Sequence, residues 1–150
     1  MSRTILISNA AICLVGLLAC APKVQVTSYD GGQPYRQSHW DGDALEGIET
    51  FWFENGRLKR RGAWVDGLRD GLWQNWREDG SLAGEESWRL GVRNGSWRVL
   101  SSSGQVVVEQ VWRAGERHGT WMQHDADGVP LHLYRWEQGT LVGVEALGKP

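Results

Sequence analysis

Glycine and tryptophan recur at a spacing of 24 residues along most of this 150-residue chain. One glycine series holds the spacing at Gly47, Gly71, Gly95, Gly119 and Gly143. All ten tryptophans fall into three series with the same step: Trp40, Trp64, Trp88, Trp112 and Trp136; Trp73, Trp97 and Trp121; Trp52 and Trp76. A fixed period of this length is typical of arrays in which each unit packs only on its neighbours. The spacing predicts one repeat domain over 39–144, with a partial unit over 39–46, four full units over 47–70, 71–94, 95–118 and 119–142, and a tail over 145–150.

Each unit is expected to form a β-hairpin. Its centre carries a polar residue followed by glycine, at Asn55-Gly56, Asp79-Gly80, Ser103-Gly104 and Asp127-Gly128. Such pairs favour tight hairpin turns because they tolerate positive φ, and the flanking segments are rich in strand-forming residues. Between hairpins we expect loops bounded by glycine, over 67–71, 91–95 and 115–119. The predicted fold class is all-β, an antiparallel meander of eight or nine short strands.

Tryptophan is the main candidate for the core of this array. Each indole removes roughly 150–250 Å² from water when buried, and the chain has no cysteine after residue 20 with which to form a disulfide. We predict that seven tryptophans form the repeat core: Trp64, Trp88, Trp112, Trp136, Trp73, Trp97 and Trp121. Trp52 and Trp76 belong to a shorter series and are the candidates for an exposed row that binds a ligand.

Two features of the hairpins stay open at this point. Trp73 and Trp76 are three residues apart, so they lie on opposite faces of a regular strand unless a bulge brings them together. A two-residue loop at Asp79-Gly80 sets Trp88 opposite Gly71, where the indole is able to cover the glycine. A three-residue loop with a glycine bulge changes which tryptophan shares that face.

The repeat resembles a known family. The pattern Gly-x-Trp, then Asp/Asn-Gly, then Trp-x-x-Gly is similar to the MORN (membrane occupation and recognition nexus) repeat, in particular to its bacterial variant found in antitoxin-like proteins, over about residues 40–143. The resemblance implies stacked hairpins and implies no catalytic residues. The antitoxin-like members imply a cytoplasmic partner, which disagrees with the export signal described next.

The first twenty residues have the composition of an export signal. Arg3 supplies positive charge, and 5–19 is mostly apolar, the length of a signal core and too short to span a membrane as a helix. The segment Leu17-Leu18-Ala19-Cys20 resembles the bacterial lipobox, which implies cleavage between Ala19 and Cys20 and a lipid on the Cys20 thiol. We therefore predict a signal peptide over 1–19 and a lipidated N-terminus followed by a flexible tether over 20–38. Because Ala21 follows the cysteine, the lipobox rule favours the outer membrane.

The sequence offers no convincing catalytic or metal site. His124 and His132 flank the turn at Asp127-Gly128 and are the best candidates for metal ligands, but the other units keep the same backbone without them. Carboxylates are scattered through turns, and no phosphate-binding or dinucleotide motif is present. The net charge is −2, which disfavours nucleic acid. Five arginines, Arg60, Arg61, Arg69, Arg77 and Arg89, are read as a solvated flank.

These observations predict a lipoprotein without enzymatic activity, cofactor or metal. It is expected on the periplasmic side of a membrane, held by the lipid (palmitate or a related acyl chain) on Cys20. Its function is predicted to be that of a protein-interaction or scaffold module for an envelope protein. The alternative is a glycan- or peptidoglycan-binding module that uses an exposed tryptophan row.

Overall fold

The computed structural model describes residues 3–7 and 22–148, which form one sheet of 13 strands. Every pairing is antiparallel, and strands neighbour one another in chain order, except that the short β4 pairs only with β3. The strands are β1 (Arg3–Ile7), β2 (Lys23–Ser28), β3 (Pro34–Asp41), β4 (Ala44–Leu45), β5 (Gly47–Trp52), β6 (Leu58–Val65), β7 (Leu68–Trp76), β8 (Leu82–Arg89), β9 (Val92–Leu100), β10 (Val106–Arg113), β11 (Glu116–His124), β12 (Pro130–Glu137) and β13 (Thr140–Ala146). The all-β meander of stacked hairpins is therefore confirmed, with nine strands, β5 to β13, over the predicted units.

The hairpin turns at the centre of each unit use three residues and a glycine bulge. In the second unit, the Arg77 N–H donates to the Ser81 carbonyl (2.9 Å) and the Gly80 N–H to the Arg77 carbonyl (2.9 Å), with Gly80 at φ 92°. A second register shift follows at once, because Trp76 pairs with Leu82 while Asn75 pairs with Gly84. The two shifts cancel, so Gly71 lies opposite Trp88. The structure thus combines the three-residue loop with the register expected from the two-residue loop.

The connections between hairpins differ from the predicted glycine-bounded loops. They are two-residue turns in which both residues have positive φ, such as Leu90 (45°) and Gly91 (80°). The rest of the predicted loop belongs to the next strand, so Asp70, Asn94 and His118 lie in β7, β9 and β11. The second glycine of each predicted loop sits in a bulge: between the pairs Glu86↔Trp97 and Trp88↔Arg93, three residues oppose one. Gly95, with φ 111°, is in that bulge.

Hydrogen bonds between consecutive connections join the units along this side of the sheet. The Gly91 N–H donates to the Arg69 carbonyl (2.8 Å), and the equivalent bonds from Gly115 and Gly139 recur 24 residues further on. Side chains add to the link, since Asp70 Oδ1 accepts from the Leu90 N–H (3.0 Å). Each connection is therefore fixed by the unit before it. Asp70 has a structural role in this link, as an acceptor for the backbone of the next connection.

The predicted tether over 20–38 contains a further hairpin. Strands β2 and β3 pair around a turn in which the Tyr29 N–H donates to the Gln33 carbonyl (2.9 Å) and Gly32 has φ 88°. Gly32 is in phase with the turn glycines of the later units, so the array begins one hairpin earlier than predicted. Pro34 is tolerated because it is the first residue of its strand. At the other end, β13 extends into the predicted tail.

The predicted lipidation and cleavage sites, Ala19 and Cys20, lie outside the described residues. From the predicted signal segment, the structure describes β1, which pairs with β2. In the described ranges, no helix is long and apolar enough to cross a membrane.

A residue that tolerates positive φ should stabilise the fold when it replaces alanine in a connection between hairpins. Ala114 has φ 50° and precedes Gly115 in a connection between hairpins. A left-handed residue other than glycine, asparagine or aspartate costs roughly 1–2 kcal/mol, so we expect Ala114→Asn to raise the free energy of unfolding by about 1 kcal/mol. Urea denaturation measures this. Ala126→Asn, the same change at an exposed turn residue without positive φ, should alter stability by less than about 0.5 kcal/mol. Equal effects at both positions would contradict the turn assignment.

Candidate binding surface

Seven tryptophans, the ones predicted as the repeat core, lie together on one face of the sheet, which we call the indole face. Ring contacts link Trp64 to Trp73 (centroids 5.2 Å apart) and join four of the others in a run: Trp97, Trp112, Trp121 and Trp136, at 6.3, 5.2 and 5.1 Å. Trp88 is joined to both groups through arginine side chains. Of the seven, only Trp73 is fully buried; the other six are half-buried. No second layer of described residues covers the face, so this core is also a surface.

Three arginines at the 24-residue spacing are stacked among the indoles. The Arg69 guanidinium lies over Trp73 (4.8 Å from the ring centroid) and Trp88 (5.1 Å). Arg93 lies over Trp97 (4.0 Å) and Arg117 over Trp136 (4.6 Å). Sequence analysis placed Arg69 on a solvated flank, which is wrong, and did not single out the other two. Their shared phase with the tryptophans was the signal that would have identified them.

The indole N–H groups of this face find two kinds of acceptor. In two units the acceptor is a side chain two residues earlier in the same strand: Trp88 Nε1 donates to Glu86 (3.0 Å) and Trp112 Nε1 to Gln110 (3.4 Å). Where the equivalent residue is Tyr134, the indole N–H of Trp136 is buried without a partner in the described part of the chain. Trp121 Nε1 donates instead to a backbone carbonyl, that of Val111 (2.9 Å). These bonds fix individual rings, and neighbouring rings of the C-terminal run are tilted by 37–45° to one another.

Trp73 is buried because it covers a glycine. A Cβ built on Gly62 would lie 2.0–2.4 Å from three atoms of the Trp73 ring, so any larger residue displaces the indole. The Trp73 Nε1 donates to the Ala63 carbonyl (3.0 Å). Sequence analysis left open whether Trp88 covers Gly71; the two residues are paired, but no heavy atom lies within 4 Å of the Cβ position of Gly71. The positive φ of Gly71 in its bulge directs that position away from the indoles.

The two carboxylates on the N-terminal half of the indole face are engaged with arginines. Glu49, 2% exposed, accepts from Arg36 Nε (2.6 Å) and from Trp64 Nε1 (2.8 Å). Glu86 Oε2 lies 3.9 Å from Arg60 and from Arg69. Burial lowers the pKa of the Arg60 guanidinium and the charge of Arg69 lowers it further, while the pKa-raising effect of Glu86 and Glu49 opposes both. Arg60, which also stacks on Trp73 (4.7 Å), is therefore not the solvated residue predicted from sequence.

The C-terminal half of the indole face carries uncompensated positive charge. Arg93 is half-buried and Arg117 is exposed. Neither forms an ion pair with a carboxylate within the described ranges. A shallow cavity of about 160 Å³ is lined by Gln110 and Trp121 of this half, by their neighbours Glu109 and Met122, and by Tyr134.

Trp52 and Trp76 lie on the opposite face. The extra residue at the register shift next to Trp76 belongs to β8, so side chains alternate along β7 and the indoles of Trp73 and Trp76 lie on opposite sides. Trp52 alternates in the same way with Glu49, whose carboxylate reaches the indole face. Both are half-buried, as are most tryptophans of the indole face. Their exposure therefore does not distinguish them as binding residues.

The candidate metal ligands His124 and His132 do not converge. His132 pairs with Gln123, and His124 is the next residue along β11, so alternation places the two imidazoles on opposite faces. Among the described residues, no three histidine, cysteine or acidic side chains cluster in a way that suits a metal ion. The acidic side chains of the strands are engaged mainly with arginines, as in the pair Arg98–Glu109 (3.1 Å).

Comparison with known proteins supports the repeat assignment. Residues 45–65, which hold β5 and β6, match the family model described as the MORN repeat variant. No curated protein matches the chain. The resemblance inferred from the 24-residue spacing is thus confirmed for one hairpin, and the equivalent strands recur along the sheet.

Filling the space above Gly62 should destabilise the sheet. We expect Gly62→Ala to displace the Trp73 indole and to lower the free energy of unfolding by about 1–3 kcal/mol, the usual cost of overpacking. Chemical denaturation followed by tryptophan fluorescence measures the change. Gly143→Ala is the matched control, because its added Cβ has no neighbour closer than 3.8 Å and its φ is not positive. A Gly62→Ala protein as stable as the control would show that Trp73 does not need this glycine.

Proposed function

We propose that this chain is a lipid-anchored, non-enzymatic binding module of the cell envelope, and that the indole face is its ligand surface. The observation that carries the proposal is the row of half-buried indoles and stacked guanidiniums on one side of a single-layer sheet. Aromatic and arginine side chains dominate binding energy at protein surfaces. A ligand lying across the strands would contact several units at once.

The repeat architecture supports a binding role over a catalytic one. Stacked repeats offer extended surfaces that lengthen with the number of units, and the match to the MORN repeat variant suggests a repeat-based binding module. The buried carboxylate Glu49 is held by Arg36 and Trp64, which leaves it poorly suited to act as an acid or base. The imidazoles of His124 and His132 lie on opposite faces of the sheet.

The anchor proposed for this module is the lipid on Cys20. Each buried CH₂ of an acyl chain contributes about 0.8 kcal/mol to membrane binding, so two or more chains hold the protein permanently. Signal cleavage before Cys20 would remove β1 and leave β2 as the first strand of the mature protein. The array would then start close to the membrane on the periplasmic side, which we propose is that of the outer membrane.

A protein partner adding a strand at β13 is the second candidate for the ligand. This terminal strand exposes apolar side chains, with Val142 and Val144 more than half exposed, and its outer edge has free backbone groups. Exposed edges of this kind accept a partner strand. Here the sheet edge, rather than the indole face, would make the contact.

Binding to isolated envelopes distinguishes these surfaces. The purified full-length protein in detergent is mixed with lipid-extracted envelope material from a Gram-negative host and sedimented, so that its own acyl chains have no bilayer to enter. We expect Trp112→Ala to weaken binding about tenfold or more, as loss of a central aromatic anchor typically does. Trp76→Ala, the same change on the opposite face, should leave binding unchanged. Loss of binding in Val142→Lys with full binding in Trp112→Ala would assign the contact to β13, and absence of envelope binding in the unaltered protein would refute the proposal.

Substitution of Cys20 tests the lipid anchor, and the same substitution at Cys13 is its control. We expect Cys20→Ser to move the protein from the detergent-rich to the aqueous phase in a cloud-point partition and to abolish incorporation of labelled palmitate. Cys13→Ser should change neither, because Cys13 lies within the predicted signal peptide. Membrane partition retained in the Cys20→Ser protein would contradict anchoring through this thiol.

A further inference from the structure

The arginines of the C-terminal strands differ in whether a carboxylate pairs with them. On the face opposite the indoles, Arg98 is paired with Glu85 and Glu109, and Arg135 with Glu145. On the indole face, Arg93 and Arg117 stack on tryptophans and have no carboxylate partner within the described ranges. The rings hold these two guanidiniums in place, and their charge is available to a negatively charged ligand.

Stacking leaves the hydrogen-bonding capacity of these arginines available. A guanidinium is planar and its N–H donors lie in that plane, so contact of its face with an indole leaves the N–H edges open to an acceptor. Arg93 is held in this way by Trp97 at 4.0 Å and by Trp112 at 4.8 Å. The fork geometry of the donors suits a carboxylate, which accepts two parallel bonds.

The spacing of the two arginines constrains the ligand further. Arg93 is in β9 and Arg117 is in β11, so they are two strands apart, about 9.5 Å at the usual strand separation. The indole of Trp112, on the intervening β10, lies between them in the run of rings. Charge and apolar ring therefore alternate across the strands, with one guanidinium for every two strands. An extended β-linked disaccharide has nearly this length.

We propose that the C-terminal half of the indole face binds a linear β-linked glycan that carries one carboxylate per disaccharide. The uncharged sugar stacks its apolar C–H face on an indole, and the carboxylate of the next sugar accepts hydrogen bonds from the adjacent guanidinium. The glycan runs across the strands, so each further unit binds one further disaccharide. This inference rests on the proposed function, since it names the ligand class of the same surface.

The test titrates the full-length protein in detergent with two hexasaccharides. One is from hyaluronan, with a carboxylate on every second sugar, and the other is the uncharged chitin hexasaccharide of the same length. We expect the hyaluronan hexasaccharide to bind about tenfold or more tightly, because hydrogen bonds to a charged group are the stronger kind. Raising the ionic strength should reduce this difference. Calorimetry gives the affinities.

Arginine variants locate the contact. We expect Arg93→Met and Arg117→Met each to lower affinity for the hyaluronan hexasaccharide about tenfold, and Arg93→Lys to lower it less, because charge is kept while the planar fork is lost. Arg98→Met on the opposite face is the control and should bind as the unaltered protein does. Thermal unfolding of each variant shows whether it is folded, and the comparison of the two sugars in the unaltered protein does not depend on any variant.

Three results would overturn the inference: no binding of the hyaluronan hexasaccharide at millimolar concentration, equal affinity for the two hexasaccharides, or an equal loss in Arg98→Met. If envelope binding still requires Trp112 in that case, the indole face binds another class of ligand and the proposed function stands. If envelope binding is also absent, the proposed function fails with it.

Discussion

Stacking between indole rings and guanidinium groups stabilises a sheet on which no second layer of described residues packs. Each of Arg69, Arg93 and Arg117 contacts tryptophans that belong to different strands, so the contacts act across the sheet as well as along it. A cation–π contact contributes about 0.5–1 kcal/mol at an exposed site and more when it is desolvated. Because these contacts recur in three successive units, the small contribution of each accumulates along the array. The same half-buried rings remain in reach of a ligand.

The backbone is arranged to make this stacking possible. In β7, β9 and β11 the bulge at the repeat glycine puts three residues opposite one of the neighbouring strand, and the arginine two residues before that glycine and the tryptophan two residues after it lie on one face. Hydrogen bonds from each connection to the preceding unit then fix the position of the arginine strand. Glycine is needed in the bulge because of its positive φ, whereas Gly62 is needed because the Trp73 ring lies against it. Two different constraints thus account for glycines that look alike in sequence.

The 24-residue spacing predicted the stacked hairpins, because its glycines mark turns and its tryptophans mark apolar strand positions. It did not predict the register of the hairpins, since two opposing shifts near Gly80 cancel and leave no net trace in the spacing. The hairpin of β2 and β3 was missed because Pro34 and paired glycines resemble a linker when read without the repeat phase. Arg69 was misread because a charged residue is usually placed on a solvated face, and only its recurrence as Arg93 and Arg117 separates it from the other arginines. Strand alternation decides which tryptophans share a face. Trp73 and Trp76 are three residues apart, and because the bulge of β7 is at Gly71, this spacing places them on opposite faces.

The pairing of every strand with its neighbour in sequence affects how the chain acquires its structure. No contact between strands has to wait for a distant part of the polypeptide, so the topology is one of low contact order, which favours rapid folding. A chain that emerges N-terminus first can close each hairpin in turn and use it as a template for the next. The same locality means that duplication or deletion of a 24-residue segment changes the length of the sheet and leaves the remaining pairings as they were. The length of the indole face is then a property that gene duplication can adjust in discrete steps.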